Sequence, residues 1–297
     1  MPGNPRMTTY QGIFMDIRRQ FRGAGLPGAD LEARELVCFA AGKSRAEFYR
    51  DGGLYMSPET EAAVRELARR HLDGEPVAYL IGEWEFYGLT LEIDRNVLIP
   101  RTDTEILAEA AMEFARSMER CRMLDLCTGS GCIGLAVATN TPGCRALLGD
   151  LSEAALGVCR RNVRRCGLTD RVKAETLDAL APPPRSIGTF DCIACNPPYI
   201  PRTDMETLDR SVKNFEPQLA LDGGEDGLDF YRMITKNWKP VLTASGRMYF
   251  EVGIGQADLV QRLMADEGFT DIRVLPDTQG ISRVVYGTVP ERNGDVS

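Results

Sequence analysis

The stretch from Met123 to Thr139 constrains the fold more than any other part of the chain. An apolar run, Met123–Leu126, passes into Cys127-Thr-Gly-Ser-Gly131-Cys, and an apolar helical pattern, Ile133–Thr139, follows at once. Strands and helices alternate from there onward. Ala146–Gly149, Val172–Thr176, Phe190–Cys195 and Arg247–Val252 read as strands, and Glu153–Cys166, Tyr231–Trp238 and Ala257–Glu267 as helices. Such alternation predicts an α/β fold with a seven-stranded, doubly wound, mostly parallel sheet of Rossmann-like type. The last two strands, Ile272–Leu275 and Arg283–Gly287, are joined by a short glycine-containing connection, so one of them is expected to run antiparallel.

The turn after the first sheet strand carries chemistry. Gly129 and Gly131 let the backbone approach a ligand closely, and with Gly134 they satisfy the Gly-x-Gly-x-x-Gly spacing of dinucleotide sites. Asp150 ends the next strand, where a carboxylate can bind ribose hydroxyls. Two cofactor classes fit: a nicotinamide dinucleotide and S-adenosylmethionine. Asp125 favours the second, because it can receive the ammonium of a methionine moiety or order the loop, and a dinucleotide has no ammonium to place there. A purely structural strand–turn–helix is the alternative.

A second candidate site closes the strand Phe190–Cys195. Asn196-Pro197-Pro198-Tyr199 stops it abruptly, since consecutive prolines have no N–H to donate. Such a loop offers backbone acceptors, and Asn196 adds a side-chain carbonyl at the end of the strand where open α/β sheets bind ligands. An acceptor-rich site suits a substrate bearing an NH2 group, whether a carboxamide or an exocyclic amine. The alternative is a plain turn capped by Asn196. The extended run Val97-Leu-Ile-Pro-Arg101 enters a helix close to this site, which makes Arg101 a candidate substrate or loop anchor.

The N-terminal part has a different character. Residues 1–76 read as a small helical bundle: Tyr10–Gly23, Leu31–Ala41 capped by Asp30 with Leu31, Val37 and Phe39 on its apolar face, a short helix opened by Ser44, and a helix started by Ser57-Pro58. A bundle of this kind grips a partner or caps a domain. Residues 77–98 read as a β-hairpin linker turning at Gly88, residues 99–290 as the sheet domain, and 291–297 as a disordered tail. The net charge of −8 disfavours general attraction to nucleic acid. The absence of an N-terminal apolar segment or of any long apolar run points to a cytoplasmic protein without a membrane partner. Nine scattered cysteines suit free thiols, and the pair Cys192 and Cys195, on opposite faces of one strand, reads as core. His71 is the single histidine, so neither a metal site nor a histidine-based triad is expected.

Taken together, Asp125–Gly131, Asp150 and Asn196-Pro-Pro-Tyr199 resemble a class I S-adenosylmethionine-dependent methyltransferase of planar nitrogens. The chain more specifically resembles the protein-(glutamine-N5) methyltransferases of peptide chain release factors. That likeness extends to Gly74-Glu-Pro76, Phe86-Tyr-Gly-Leu89, Val97–Arg101, Phe215-Glu-Pro217, Leu221-x-Gly-Gly-x-Asp-Gly-Leu228 and Asp277-x-x-Gly280. Cys127 departs from the family's usual glycine and Thr102 from a common proline; the first departure is expected to alter the loop geometry slightly. The resemblance implies S-adenosyl-L-methionine as cofactor, with S-adenosyl-L-homocysteine as product, held by Asp125, Cys127, Thr128, Gly129, Ser130, Gly131, Asp150, Leu151, Asp178, Ala179 and Asn196. It implies that Asn196 and Pro197 act in catalysis and that they bind substrate with Pro198, Tyr199 and Arg101. The implied substrate is the glutamine of the Gly-Gly-Gln motif in class 1 release factors, gripped partly by the N-terminal bundle. A monomer with no direct nucleic-acid partner is expected. The runner-up readings are an amino methyltransferase of adenine or guanine and a nucleotide-binding protein without turnover.

Overall fold

The computed structural model describes residues 8–291, so all but the first residue of the expected tail lies outside the described residues. The chain divides between Gly82 and Glu83 into two compact units.

The first unit is helical: α1 (Tyr10–Gly23), α2 (Ala29–Ala41), α3 (Arg45–Asp51), α4 (Pro58–Leu72) and the single turn α5 (Val77–Ile81). Ser44 and Ser57 start their helices as expected: Ser44 forms a reciprocal capping box with Glu47, and Ser57 Oγ accepts from Thr60 N beside Pro58. Two expectations for α2 are corrected. The helix starts at Ala29, with Gly28 at its N-cap and no side-chain cap. Asp30 is already inside the first turn, where its carboxylate accepts from Arg22 at 2.6 Å. Ala33, Leu36 and Val37 form the buried face, and Leu31 and Phe39 point outward.

The second unit opens with the hairpin β1 (Glu83–Phe86) and β2 (Leu89–Glu92). Its two-residue turn, Tyr87-Gly88, has φ of 47° and 75°, the left-handed pair that matches strand twist. The helix α6 (Thr104–Arg116) leads into the sheet. In chain order follow β3 (Cys121–Leu126), α7 (Cys132–Asn140), β4 (Cys144–Asp150), α8 (Glu153–Arg165), β5 (Val172–Thr176), β6 (Phe190–Cys195), α9 (Arg210–Phe215), α10 (Asp229–Trp238), β7 (Leu242–Glu251), α11 (Ala257–Asp266), β8 (Thr270–Pro276) and β9 (Ser282–Thr288). The seven-stranded sheet has the order β5-β4-β3-β6-β7-β9-β8, and β9 runs antiparallel to both its neighbours.

The central strands are buried on both faces, as their continuous apolar runs require. Phe190, Tyr231, Trp238 and Phe250 are almost wholly buried, and the polar tips of two of them are satisfied. Trp238 Nε1 donates to the Ala179 carbonyl at 3.0 Å, and the Tyr231 hydroxyl to the Glu251 carbonyl at 2.9 Å. Strand order reverses between β3 and β6, and a crevice opens at their carboxyl ends. Register fixes what meets there. Leu126 pairs with both Gly149 and Cys195, and Cys195 pairs with Phe250. The next residues along these strands, Cys127, Asp150, Asn196 and Glu251, therefore leave the sheet at one level.

Candidate active site

A cavity of about 260 Å³ occupies this edge of the sheet. Its wall brings together Arg101, Cys127, Thr128, Gly129, Ser130, Asp150, Leu151, Asp178, Ala179, Asn196 and Pro198, eleven residues drawn from five separate stretches of sequence. Asp125, Gly131, Pro197 and Tyr199 are not on the wall.

One half of the cavity is the glycine loop. Asp125 is fully buried beneath it, and its Oδ2 accepts from Thr128 Oγ1 at 2.6 Å and from Gly134 N at 3.0 Å. Of the two tasks foreseen for Asp125, the structure displays loop ordering, while its other oxygen, Oδ1, is buried without a partner. Burial pushes its carboxyl up to about 7 against the pull of those two donors. Asp150 closes the turn from the neighbouring strand: Oδ2 accepts from Gly129 N and Oδ1 from Ser152 N, each at 2.9 Å. Burial raises its pKa too, with the N–H groups of Ser152, Gly129 and Leu151 opposing. Cys127 has φ of 56°, a conformation natural to glycine, so the thiol residue is held there at a strain of ~1–2 kcal/mol. Gly131 faces inward, where a Cβ would lie 3.0 Å from Cys159 Sγ.

The other half is the loop Asn196-Pro-Pro-Tyr199. Asn196 Nδ2 donates to Thr104 Oγ1 at 3.3 Å. The carboxyl of Glu251, 3% exposed and with an Oε2 that has no hydrogen-bond partner, lies beside Asn196 and Thr104. Burial pushes Glu251 up to about 7; Thr104, Arg283 and Asn196 counteract and Asp103 reinforces. The NH2 of Asn196 is engaged by Thr104, and its Oδ1 is the acceptor that remains. Tyr199 packs toward Gly253 and the apolar core, and burial raises its phenol to about 12. The loop's backbone is pinned by a buried amide: Gln256 Nε2 donates to the Tyr199 carbonyl at 2.9 Å, while Gln256 Oε1 accepts from Gly253 N. Segment Leu221–Gly224 runs alongside, with Ile200 N donating to Leu221 O at 3.0 Å and Gly223 N to Ile200 O at 2.9 Å.

Arg101 joins the site as an anchor. Its guanidinium pairs with Glu216, a buried carboxylate whose other oxygen accepts from Ile99 N at 3.2 Å. The pair ties the Val97–Arg101 run to Phe215-Glu-Pro217, and both flank the cavity. Four contributors escaped the reading of the sequence: Thr104, Glu251, Gln256 and Asn162. Asn162 is fully buried and donates to the Ser130 and Glu92 carbonyls at 3.0 Å, so it joins the hairpin to the glycine loop. An Asn inside an otherwise amphipathic helix was the one signal available for it; the other three become visible only through strand register.

The crevice at the strand-order reversal, the glycine loop, and a carboxylate ending the second strand define a class I S-adenosylmethionine-dependent methyltransferase. The hMettl16 catalytic domain shares that fold: it superposes with a TM-score of 0.53 at 16% identity, covering 71% of this chain and 78% of the other. Profiles described as the PrmC N-terminal domain and the methyltransferase small domain match residues 13–82 and 103–223. The release factor glutamine methyltransferase of Geobacter sulfurreducens is 36% identical over 97% of this chain and 100% of its own length. Those of Thermodesulfovibrio yellowstonii and Clostridium acetobutylicum are 38% and 41% identical, over 86% and 71% of this chain and 90% and 74% of their own lengths. The chain belongs to the release factor glutamine methyltransferase family.

Proposed function

We propose that this protein methylates the side-chain amide nitrogen of the glutamine in the Gly-Gly-Gln motif of class 1 release factors, in the cytoplasm and as a monomer, with the helical unit gripping the factor. The observation that carries this reading is the amide of Asn196, whose NH2 donates to Thr104 while Oδ1 remains to accept. The family names of the relatives supply the substrate, and the charge of −8 favours a protein over a nucleic acid. Among the described residues no helix is long and apolar enough to cross a membrane.

The residues around the cavity fit S-adenosylmethionine. Asp150 retains lone pairs beyond those used by Gly129 and Ser152, so it can accept from ribose hydroxyls. Cys127, Thr128, Gly129 and Ser130 line the path of the methionine portion, with Asp125 holding the Thr128 hydroxyl and the Gly134 N–H from below. Leu151, Asp178 and Ala179 flank the adenine end. When bound, the cofactor supplies an electrophilic methyl group on a sulfonium.

The protein's own part is alignment. An amide nitrogen is a poor nucleophile because its lone pair is shared with the carbonyl, and no side chain at the site is a base strong enough to deprotonate it first. Oδ1 of Asn196, a residue of the cavity wall, accepts one amide hydrogen and fixes the direction of the nitrogen; the carbonyl of Pro197, the next residue though not itself on the wall, is the acceptor assigned to the other. A glutamate in the same place would set a carboxylate against two acceptors, which rejects it. The proton leaves to water after transfer. The test is labelled methyl transfer from S-adenosylmethionine to a purified class 1 release factor, with RNA and DNA in parallel. Label on the glutamine amide, located by mass spectrometry, is the expected result; label on nucleic acid alone overturns the reading.

A further inference from the structure

The amide of Asn196 has two ends of nearly equal shape. Turned by half a rotation it would present NH2 to the cavity, and a donor there would repel the substrate's own N–H groups. Something must choose the orientation, and Asn196 cannot do so itself.

Glu251 is placed to choose. It ends β7, one residue beyond Phe250, which pairs with the Cys195 that precedes Asn196. Its carboxyl is 3% exposed and carries an oxygen without a hydrogen-bond partner, an expense that packing alone does not explain. An ionised carboxylate is acceptor-only, so a neighbouring amide turns its NH2 toward it. Thr104 completes the arrangement: its oxygen accepts from Asn196 Nδ2 at 3.3 Å, and its hydroxyl lies beside the Glu251 carboxyl.

We propose that Glu251, together with Thr104, is the positioning residue that locks the Asn196 amide with its Oδ1 toward the substrate. This rests on the acceptor role given to Asn196 under Proposed function. Glu251 touches neither substrate nor cofactor; it acts through Asn196 alone.

Glu251→Gln keeps the size of the side chain but adds a donor, which can bond Asn196 Oδ1 and hold the flipped amide. We expect kcat to fall about tenfold, the worth of one lost hydrogen bond, with the KM for release factor and the affinity for S-adenosylmethionine near wild type. Thr104→Val should move kcat in the same direction and provides a second reading if the first variant folds poorly. Because Glu251 works through Asn196, the double variant Asn196→Ala/Glu251→Gln should be no slower than Asn196→Ala. Full multiplication of the two losses overturns the inference, as does wild-type kcat in both Glu251→Gln and Thr104→Val when Asn196→Ala is slow. Wild-type kcat in Asn196→Ala instead overturns the acceptor reading on which the inference rests.

Discussion

Two loops leave neighbouring strands at the same edge of the sheet, and they obtain their shapes in opposite ways. The loop after β3 carries its own glycines: Gly129 has φ of 54° and open space where a Cβ would stand, so the residue is needed for its conformation. The loop after β6 has no glycine. It is stiffened from within by Pro197 and Pro198 and accommodated by glycines elsewhere in the chain. A Cβ on Gly223 would stand 2.7 Å from Tyr199 Cα, and one on Gly227 would stand 2.4 Å from the Tyr199 carbonyl oxygen. Each loop also sits on a buried acid with one unpartnered oxygen, Asp125 under the first and Glu251 under the second. Asp125 holds a backbone and a hydroxyl; Glu251 lies beside a side-chain amide. The first loop is thus a local device and the second a tertiary one.

That contrast can be broken from the tertiary side. Gly223→Ala drives a methyl into backbone atoms, with Tyr199 C at 2.8 Å and Gly227 Cα at 2.9 Å as well, and none of these is a flexible side-chain end. Overpacking of this kind costs ~1–3 kcal/mol or more. We expect the largest loss of methyl transfer here, with cofactor affinity nearly unchanged, measured by single-turnover assay and calorimetry. Equal loss of cofactor affinity would show that the two loops are one mechanical unit.

The local loop is tested by pH. Asp125 has its pKa raised from 3.8 to about 7 by burial. Between those values the unfolded chain has released the proton and the folded chain keeps it, so this group's contribution to stability declines as pH rises from about 4 to about 7 and is level above that. Asp125→Asn keeps the acceptor oxygen and removes the titration. The variant should gain on wild type across that window by at most ~1.4 kcal/mol per pH unit, read from denaturant unfolding at a series of pH values. A difference independent of pH would place the proton elsewhere.

The same contrast explains what the sequence made legible. Alternating apolar runs carried the sheet, and the spacing of Asp125, Gly129, Gly131 and Asp150 carried the nucleotide half of the cavity, because those residues act within one strand–turn–helix unit and the strand beside it. Asn196-Pro-Pro-Tyr199 announced a rigid acceptor loop for the same local reason. Its supports did not announce themselves. In the sequence Glu251 is a lone acid inside the apolar strand Arg247–Val252 and Gln256 merely precedes the helix Ala257–Glu267, and neither has meaning until β6 and β7 lie side by side. Arg101 was foreseen as an anchor or a substrate contact, and only the fold supplies Glu216 as its partner. The exposed Leu31 and Phe39 of α2 show the reverse error: apolar spacing on a short helix fits more than one face, and packing against neighbouring helices selects Ala33, Leu36 and Val37.

The central claim is that Asn196 accepts from the target amide and fixes the nitrogen for attack. Asn196→Ala removes that acceptor and leaves an amide hydrogen unpaired in a dry site, at ~1–3 kcal/mol, or about ten- to a hundredfold in rate. The decisive measurement is the single-turnover rate of methyl transfer to the release-factor glutamine by Asn196→Ala, with S-adenosylmethionine affinity determined separately. A rate lowered by that amount at near-normal cofactor affinity is the predicted result. A wild-type rate would reduce the loop to a turn and contradict the account.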